Sequence, residues 1–364
     1  MRLSPTFSLY LGRQFLASVG FVFIALLALI FLFDVIEHLR RASGREAATF
    51  IIVLKMSVLN LPELGQKMLP FAALFGALLA FTRLTRSNEL IVARAAGVSV
   101  WQFLAPPLLI ALVIGILVVT VFNPLGAAMV SRYEQMESRY LEGRSSLLAV
   151  STTGLWLRQA DHEGQSVVHA RRVSSAGTEL HDVIIFLYEG TDTFIGRIDA
   201  ESANLRDGYW ELHHTVFSRP DGPPVRRERH DLPTTLTLEQ IQESFASPET
   251  LSFWSLPRFI DTLEQAGFSA VRHRLHWHTL LSIPLLLCAM VLLAATFSLR
   301  FSRRGHTGLL IGVGVAIAFL LYFISDIVLA LGMAGNLPAV LAAWAPAGVC
   351  ALLGTSMLLH LEDG

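Results

Sequence analysis

Several charged side chains lie inside or at the edges of long apolar runs, where ionisable groups are costly and usually serve a function. Arg40 and Arg41 directly follow the first run. Two adjacent guanidinium groups can grip a phosphate through paired N–H donors, which makes this pair a candidate for recognising a lipid headgroup. The alternative is that both side chains extend to the membrane interface without a specific ligand. Arg132, at the outer end of a later run, is a further candidate for the same headgroup.

Glu63 and Lys67 lie four residues apart within the second apolar run, so a helix would place both on one face. Two interpretations stay open. The pair could stabilise helix packing as an internal ion pair, or it could form the polar rim of a lipid cavity with Lys67 facing a phosphate. Lys67 therefore joins Arg40, Arg41 and Arg132 as a candidate headgroup residue.

The stretch RLTRSNELIVARAAGVSV (residues 83–100) interrupts the apolar sequence and predicts a short helix over residues 88–96. We expect Ser87 to cap its start and Gly97 to end it, with the Glu89 carboxylate favoured by the helix dipole in the first turn. A short helix that is apolar on most faces has to be buried against something. It either lies on the inner membrane surface or docks in a groove of a cytoplasmic partner. In the second case the coupling residues are Glu89, Leu90, Arg94 and Gly97.

Composition excludes several functional classes. The 364 residues are 53% hydrophobic and 16% charged, against about 25% charged in soluble domains, and the mean hydropathy is +0.54. The formal net charge of -1 gives no electrostatic basis for binding nucleic acid. The lysines are Lys55 and Lys67, so no GxxxxGK[ST] phosphate loop exists and nucleotide energy has to come from a partner.

The sequence predicts no catalytic residue, metal site or cofactor. Motifs of nucleophilic hydrolases and zinc peptidases do not occur in it, and Cys288 and Cys350 both lie in apolar runs. His273, His276 and His278 do not share one helix face and have no adjacent carboxylate, so they are not predicted to bind a metal.

Six apolar runs are long enough to cross a bilayer, which takes about 20 residues. The first is too long for the apolar core of a signal peptide and has no cleavage site after it, so we expect it to be retained. Arginines are concentrated in short cytoplasmic loops. Eight arginines flank the spans on one side and only Arg40, Arg41 and Arg45 on the other, so both termini are predicted to be cytoplasmic. The predicted spans cover residues 15–33, 51–81, 101–122, 280–299, 308–333 and 337–359.

A long polar stretch between the third and fourth spans is predicted to lie outside. Strand-like runs separated by glycines, among them GLWLRQ, SVVHARRV, DVIIFLY and GYWELHHTVFSR, predict a β-sandwich or jelly roll. SRYEQMESRYLEG before it and SLPRFIDTLEQAGF after it predict flanking helices. The predicted fold class is an α-helical membrane protein with six transmembrane helices plus an all-β, jelly-roll-like domain. Its divisions are residues 1–130 (spans one to three with the short helix), 131–275 (the β domain with flanking helices) and 276–364 (spans four to six).

A segment around the second span carries a resemblance to a known family. PELGQKMLPFAALFGALLAFTRLTRSNELIVARAAGVS closely resembles the second span and following loop of the LptF/LptG lipopolysaccharide export permeases, and LptG more than LptF. The resemblance covers the whole chain, including LYLGRQFL, HLRRASG, the GLWLR, ARRV and YWEL segments, and the last three spans.

The resemblance implies a permease subunit of an ABC-type exporter that is not itself an enzyme. In such complexes an LptG-like and an LptF-like subunit bind a cytoplasmic ABC ATPase dimer (LptB-like) and a single-span periplasmic partner (LptC-like). The complex extracts lipopolysaccharide from the outer leaflet of the inner membrane and passes it through jelly-roll domains to a periplasmic bridge. The family's coupling-helix glutamate matches Glu89, and its basic pair at the phosphorylated headgroup matches Arg40 and Arg41. Asp34 departs from the pattern, because some relatives carry a basic residue there.

Two other classes stay open on the residues alone. A membrane-embedded enzyme acting at the outer surface would need a paired acid or nucleophile set, which Glu63 alone does not supply. A transmitter that moves the outer domain without lipid passage would not need the cationic outer rim formed by Arg40 and Arg41.

Overall fold

The chain folds into two compact units. The first comprises Met1–Gly143, Glu249–Trp254 and Arg274–Gly364, and the second comprises Arg144–Pro248 and Ser255–His273. Arg45 lies outside the described residues. The computed structural model describes residues 5–43, 49–142, 148–151, 154–160, 165–173, 179–189, 193–220, 222–234, 247–265, 269–301 and 307–363.

Long helices form the first unit. Pro62 and Pro70 lie inside the second helix without ending it, so the interruption seen in the sequence does not break this span. Two π-helical turns, Val118–Phe122 and Ser138–Glu142, follow the fourth and fifth helices and make one continuous helical segment of them. The helices are α1 (Pro5–Ala42), α2 (Phe50–Arg86), α3 (Glu89–Ala95), α4 (Val100–Leu117), α5 (Asn123–Glu137), α6 (Leu256–Gln265, in the second unit), α7 (Val271–Phe301), α8 (Thr307–Met333) and α9 (Ala339–Asp363).

Among the described residues, five helices are long and apolar enough to cross a membrane. They are Pro5–Ala42, Phe50–Arg86, Val100–Leu141, Val271–Ser298 and Ala339–His360. Each contains or overlaps one predicted span, and the remaining predicted span, 308–333, falls on α8, where Phe319–Met333 forms a shorter apolar helix. The prediction of a multi-pass helical membrane protein is therefore confirmed.

Glycines allow the closest approaches between these helices. A Cβ on Gly76 of α2 would lie 2.5 Å from the Cα of Val19 on α1, and a Cβ on Gly115 of α4 would lie 2.5 Å from the Cα of Pro284 on α7. Small residues let helix backbones approach and pack where lipid provides no hydrophobic driving force between helices. These two contacts therefore fix α1 against α2 and α4 against α7.

An antiparallel β-sheet forms the core of the second unit, which confirms the all-β prediction. The described strands pair in chain order from first to last, so each strand is joined to the next as in a meander. The four strand-like runs quoted from the sequence fall on β2, β3, β4 and β6, while none of them covers β1, β5 or β7. The strands are β1 (Leu148–Ser151), β2 (Gly154–Ala160), β3 (Gln165–Val173), β4 (Glu179–Glu189), β5 (Thr193–Arg206), β6 (Tyr209–Ser218) and β7 (Val225–Pro233).

One face of this sheet is apolar and buried. A cross-strand row pairs Leu157 with Val168, Val168 with Ile185, and Ile185 with Ile198, and all four side chains are buried. In the same unit, α6 buries Leu256, Ile260 and Leu263 at the i, i+4, i+7 spacing of an amphipathic helix, as its sequence predicts.

Candidate functional site

The short helix α3 follows α2 after only Ser87 and Asn88, and its structure agrees with the predicted span within a residue at each end. Its C-terminus is closed by two hydrogen bonds, from Gly97 N–H to the Arg94 carbonyl (3.0 Å) and from Val98 N–H to the Ala93 carbonyl (3.1 Å). This is the Schellman arrangement, which needs a left-handed residue after the helix. Gly97 supplies it with φ of 84°, so the predicted helix end is confirmed.

The predicted role of Ser87 as the helix N-cap is wrong. Its hydroxyl donates toward the carbonyls of Arg83 and Leu84, and to the Glu89 carboxylate at 2.8 Å, instead of accepting a backbone N–H of α3. The residue at the N-cap is Asn88, in a left-handed conformation with φ of 60°. Ser87 therefore terminates α2, and the reversal of the chain between the two helices occurs at Asn88.

The two faces of α3 differ in exposure. Leu90 is only 2% exposed, whereas Val92 is 65% exposed and Ala95 and Ala96 are also exposed. Glu89 is half-buried and accepts a hydrogen bond from the Tyr10 hydroxyl of α1. The helix is therefore fixed to the first unit through one face and presents an apolar surface of small residues on the other.

The candidate arginines at the end of α1 are both paired with carboxylates. Arg40 donates two hydrogen bonds, of 2.8 and 2.7 Å, to Glu37 one turn earlier in the same helix. Arg41 instead reaches α5, where its guanidinium lies 2.6 Å from Glu137. The two adjacent arginines thus have different surroundings, since one pair is local and the other joins two helices.

A buried polar network that the sequence reasoning missed lies beside Arg41. His38 is 3% exposed, and its Nε2 lies 3.0 Å from the hydroxyl oxygen of Tyr133 on α5. Its Nδ1 lies 2.8 Å from the backbone oxygen and 3.2 Å from the carboxylate of Asp34. Asn60 of α2 donates to the other Asp34 oxygen at 3.0 Å, and Ser57 of α2 lies 3.3 Å from Nδ1.

This network joins the C-terminal part of α1, the N-terminal part of α2 and the C-terminal part of α5, because its members come from all three helices. Two signals in the sequence could have indicated it. Asp34 and His38 are four residues apart at the end of an apolar run, and so are Tyr133 and Glu137 in the helix that leaves the third span. Pairs at that spacing share a helix face. The sequence does not show that the face of α1 with Asp34 and His38 packs against the face of α5 with Tyr133 and Glu137.

Lys67 and Glu63 form the ion pair that their spacing allowed, with Nζ and Oε1 2.5 Å apart. The lysine side chain is exposed and the glutamate is less so. Arg132 on α5 is exposed, and within the described residues it has no carboxylate partner. The sequence does not distinguish Arg132 from the paired cations, because whether an arginine has a carboxylate partner depends on the fold.

Among the described residues, no group of three or more histidines, cysteines, aspartates or glutamates is arranged to hold a metal ion. His276 lies 3.9 Å from Glu249, and His278 packs edge-on against Trp277. The contacts of these two histidines in α7 are thus with an acid and an aromatic ring.

The fold defines a multi-pass helical membrane protein that carries an antiparallel β unit between its third and fourth spans, with a short amphipathic helix after the second. The family model of the lipopolysaccharide export system permease LptF/LptG matches residues 9–360, and the chain belongs to this family. Lipopolysaccharide export system permease protein LptG of Haemophilus influenzae is 24% identical over 359 residues, covering 94% of each chain. The protein of the same name from Escherichia coli K12 is 23% identical over 364 residues, covering 96% of this chain and 97% of its own.

Proposed function

We propose that this chain is the LptG-type permease subunit of a lipopolysaccharide exporter driven by a separate ABC ATPase. The observation that carries the proposal is α3, a short helix held by buried Leu90 on one side and open on an apolar side around Val92. A helix of seven residues is marginal alone, and an exposed apolar face on it fits a groove in a partner. Leu90 anchors the helix, Glu89 and Arg94 flank the docking face, and Gly97 fixes its end.

The proposed cycle follows from this arrangement. ATP binding closes the ATPase dimer and moves α3 together with the end of α2, to which Ser87 and Asn88 connect it directly. The displacement narrows a cavity among the membrane helices and expels the lipid bound there. Because the chain has no phosphate loop, ATP hydrolysis belongs to the partner.

The lipid headgroup is proposed to bind on the outer side of the membrane helices, through Arg40 and Arg41 at the end of α1, Lys67 within α2 and Arg132 within α5. Lipid A carries phosphate groups, and arginine and lysine are the side chains that bind phosphate through charge-assisted hydrogen bonds. The acyl chains are proposed to move along the buried apolar face of the β-sheet, where the row from Leu157 to Ile198 offers aliphatic contacts.

The location and partners complete the proposal. The chain spans the bacterial inner membrane with both termini in the cytoplasm and the β domain in the periplasm. It pairs with an LptF-like subunit and a single-span LptC-like protein, and it passes lipopolysaccharide to a periplasmic bridge. The functional divisions are residues 1–130, 131–275 and 276–364.

The test is to tag the full chain in its native membrane, extract it in mild detergent and identify the proteins that co-purify. We expect a soluble ABC ATPase and a second six-span protein. Val92→Glu places a charge on the open face of α3 and should remove the ATPase while the second membrane subunit is retained. Val225→Glu changes an exposed valine of β7 and is the matched control, which should retain both partners.

Two results would overturn the proposal. Recovery of the wild-type chain without any ATPase would mean that α3 does not bind an ATPase partner. Equal recovery of the ATPase by Val92→Glu and Val225→Glu would mean that α3 is not the docking helix. A Glu89→Lys variant that assembles and exports normally would argue against a contribution of this carboxylate to coupling.

A further inference from the structure

Three of the four cations proposed to bind the headgroup already have a carboxylate partner within the chain. The pairs are Arg40 with Glu37, Arg41 with Glu137, and Lys67 with Glu63. Their three positive charges are matched by three negative charges, so the pairs together contribute almost no net charge. A lipid phosphate that binds these cations has to compete with carboxylates that are held next to them.

The three pairs differ in how firmly they are held. Arg40 and Glu37 are 75% and 51% exposed, and ion pairs so open to water contribute little. Arg41 and Glu137 are 38% and 18% exposed and come from different helices. Lys67 and Glu63 are 61% and 23% exposed and lie one turn apart on α2. Of the three pairs, Arg41 with Glu137 is the least exposed and joins two helices, so we expect the competition to be strongest at Arg41.

The buried network fixes the position of Glu137. Tyr133 lies one turn before Glu137 on α5, and His38 lies three residues before Arg41 on α1, so the two links between these helices run side by side. The Tyr133 hydroxyl, 3.0 Å from His38, also hydrogen-bonds the Glu137 carboxylate, and this contact keeps the carboxylate near Arg41 even when it does not contact the guanidinium. It is then positioned to pair with Arg41 again as soon as the phosphate leaves.

We propose that Glu137 is an intramolecular competitor of the lipid phosphate at Arg41, which lowers the affinity for the headgroup and promotes its release. This inference rests on the proposed headgroup site. A phosphate that carries more charge than a carboxylate displaces Glu137 on binding. When the lipid is driven out, the return of Glu137 satisfies Arg41 at once, so the cation is not left unpaired while the headgroup departs.

The opposite expectation holds if Glu137 only joins α1 to α5. Its removal would then loosen the end of α1 and misplace Arg41, and headgroup binding would become weaker. The sign of the change in affinity thus separates a competitor from a structural contact.

The experiment measures binding of a fluorescent bisphosphorylated lipid A in detergent micelles to the full-length chain, with the dephosphorylated lipid as the second probe. The variants are Glu137→Gln, Arg41→Gln and the double variant. Asp261→Asn on α6 removes one exposed negative charge elsewhere and controls for the change in net charge. We expect Glu137→Gln to bind the bisphosphorylated lipid about threefold to tenfold more tightly, as removal of a charge-assisted pair implies. Arg41→Gln should bind more weakly, and the double variant should match Arg41→Gln.

The outcomes distinguish this inference from the proposed function. If Arg41→Gln weakens binding but Glu137→Gln does not tighten it, the competitor is overturned and the headgroup site stands. If Arg41→Gln binds as the wild type does, the headgroup site itself fails at Arg41. Equal tightening by Asp261→Asn and Glu137→Gln would reduce the effect to net charge and overturn the inference.

A second variant keeps the test valid if Glu137→Gln does not fold. Glu37→Gln removes the exposed partner of Arg40, which is not part of the buried network. It should tighten phosphate-dependent binding by about twofold, the smaller effect that an exposed pair allows. No change in Glu37→Gln, with an intact fold, would overturn the competition model at Arg40 as well.

Discussion

Replacing Gly97 with alanine should alter α3 through backbone energetics alone. A Cβ at this position would meet no atom within 4 Å, so no steric clash contributes. The residue must however keep a φ of 84°, in the left-handed region, which costs an L-amino acid about 1–2 kcal/mol. The two hydrogen bonds that close the helix, from Gly97 and Val98, depend on that conformation. A cost of about 1 kcal/mol shifts the equilibrium for closing the last turn of α3 by about fivefold.

Gly335, after α8, provides a matched control. It has a φ of 76° and an equally open Cβ position. The same two hydrogen bonds close its helix, from Gly335 N–H to the Gly332 carbonyl and from Asn336 N–H to the Leu331 carbonyl. Gly335→Ala therefore carries the same backbone cost at a turn that is not proposed to dock. Gly97→Asn provides the rescue, because asparagine tolerates the left-handed conformation better than alanine does.

The assay compares thermal unfolding with capture of the partner ATPase in detergent. Both alanine variants should lower the unfolding midpoint by a similar amount, about 2 °C for a loss of about 1 kcal/mol. Gly97→Ala alone should reduce ATPase capture, by about fivefold, and Gly97→Asn should restore most of it. If Gly97→Ala and Gly335→Ala capture the ATPase equally well, the end of α3 does not contribute to docking and the reasoning is refuted.

Three further predictions concern the packing of the fold. Gly76→Ala should force the backbones of α1 and α2 apart and lower the stability by about 1–3 kcal/mol. Gly20→Ala, which has open space around the added Cβ, should not lower it, and equal unfolding midpoints of the two variants would contradict the close contact at Gly76. Tyr133→Phe should cost about 1–3 kcal/mol in thermal unfolding, because it leaves Nε2 of the buried His38 ring without its hydroxyl partner, and an unchanged midpoint would exclude a stabilising contact between the two residues. Burial and a neighbouring arginine lower the pKa of His230 on β7 below its usual 6.5, so the folded β unit favours the neutral ring. The unfolded chain then binds the proton more readily, and the β unit should lose stability as the pH falls below about 6.5. Hydrogen exchange of β7 at pH 7.5 and 5.5, corrected for intrinsic rates, should show this loss in the wild type and less of it in His230→Gln.

Local rules predicted much of the fold. The spans follow from the length of the apolar runs, and the helical continuation past the third span and the amphipathic α6 follow from periodicity. The end of α3 was predictable because glycine is the residue that takes the left-handed conformation after a helix. The start was not, because Ser87 satisfies the end of α2 with the same hydroxyl that a cap would have needed. A serine at this position is equally compatible with ending α2 and with capping the start of α3, so the sequence does not distinguish the two roles.

Strands and partners that depend on tertiary contacts were not predictable to the same degree. β5 buries small residues, among them Gly196 and Ala200, and these give little of the alternating hydrophobic signal that marked its neighbours. The cations of the candidate site were found from their positions beside apolar runs. Their counter-ions were found only in the structure, since Glu137 is far from Arg41 in the chain and no periodicity relates α5 to α1.

The continuous helix from Val100 to Leu141 has a mechanical consequence. At about 1.5 Å per residue, its 42 residues extend about 60 Å, twice the roughly 30 Å of a hydrocarbon core, so about half of it lies beyond the lipid tails. A rod of that length acts as a lever, on which a tilt of about 5° at one end moves the other by about 5 Å. The π-helical turns at Val118–Phe122 and Ser138–Glu142 are the points where such a rod can flex without breaking. The displacement of the far end therefore exceeds the movement at the base only if the helix between the two π-helical turns does not bend.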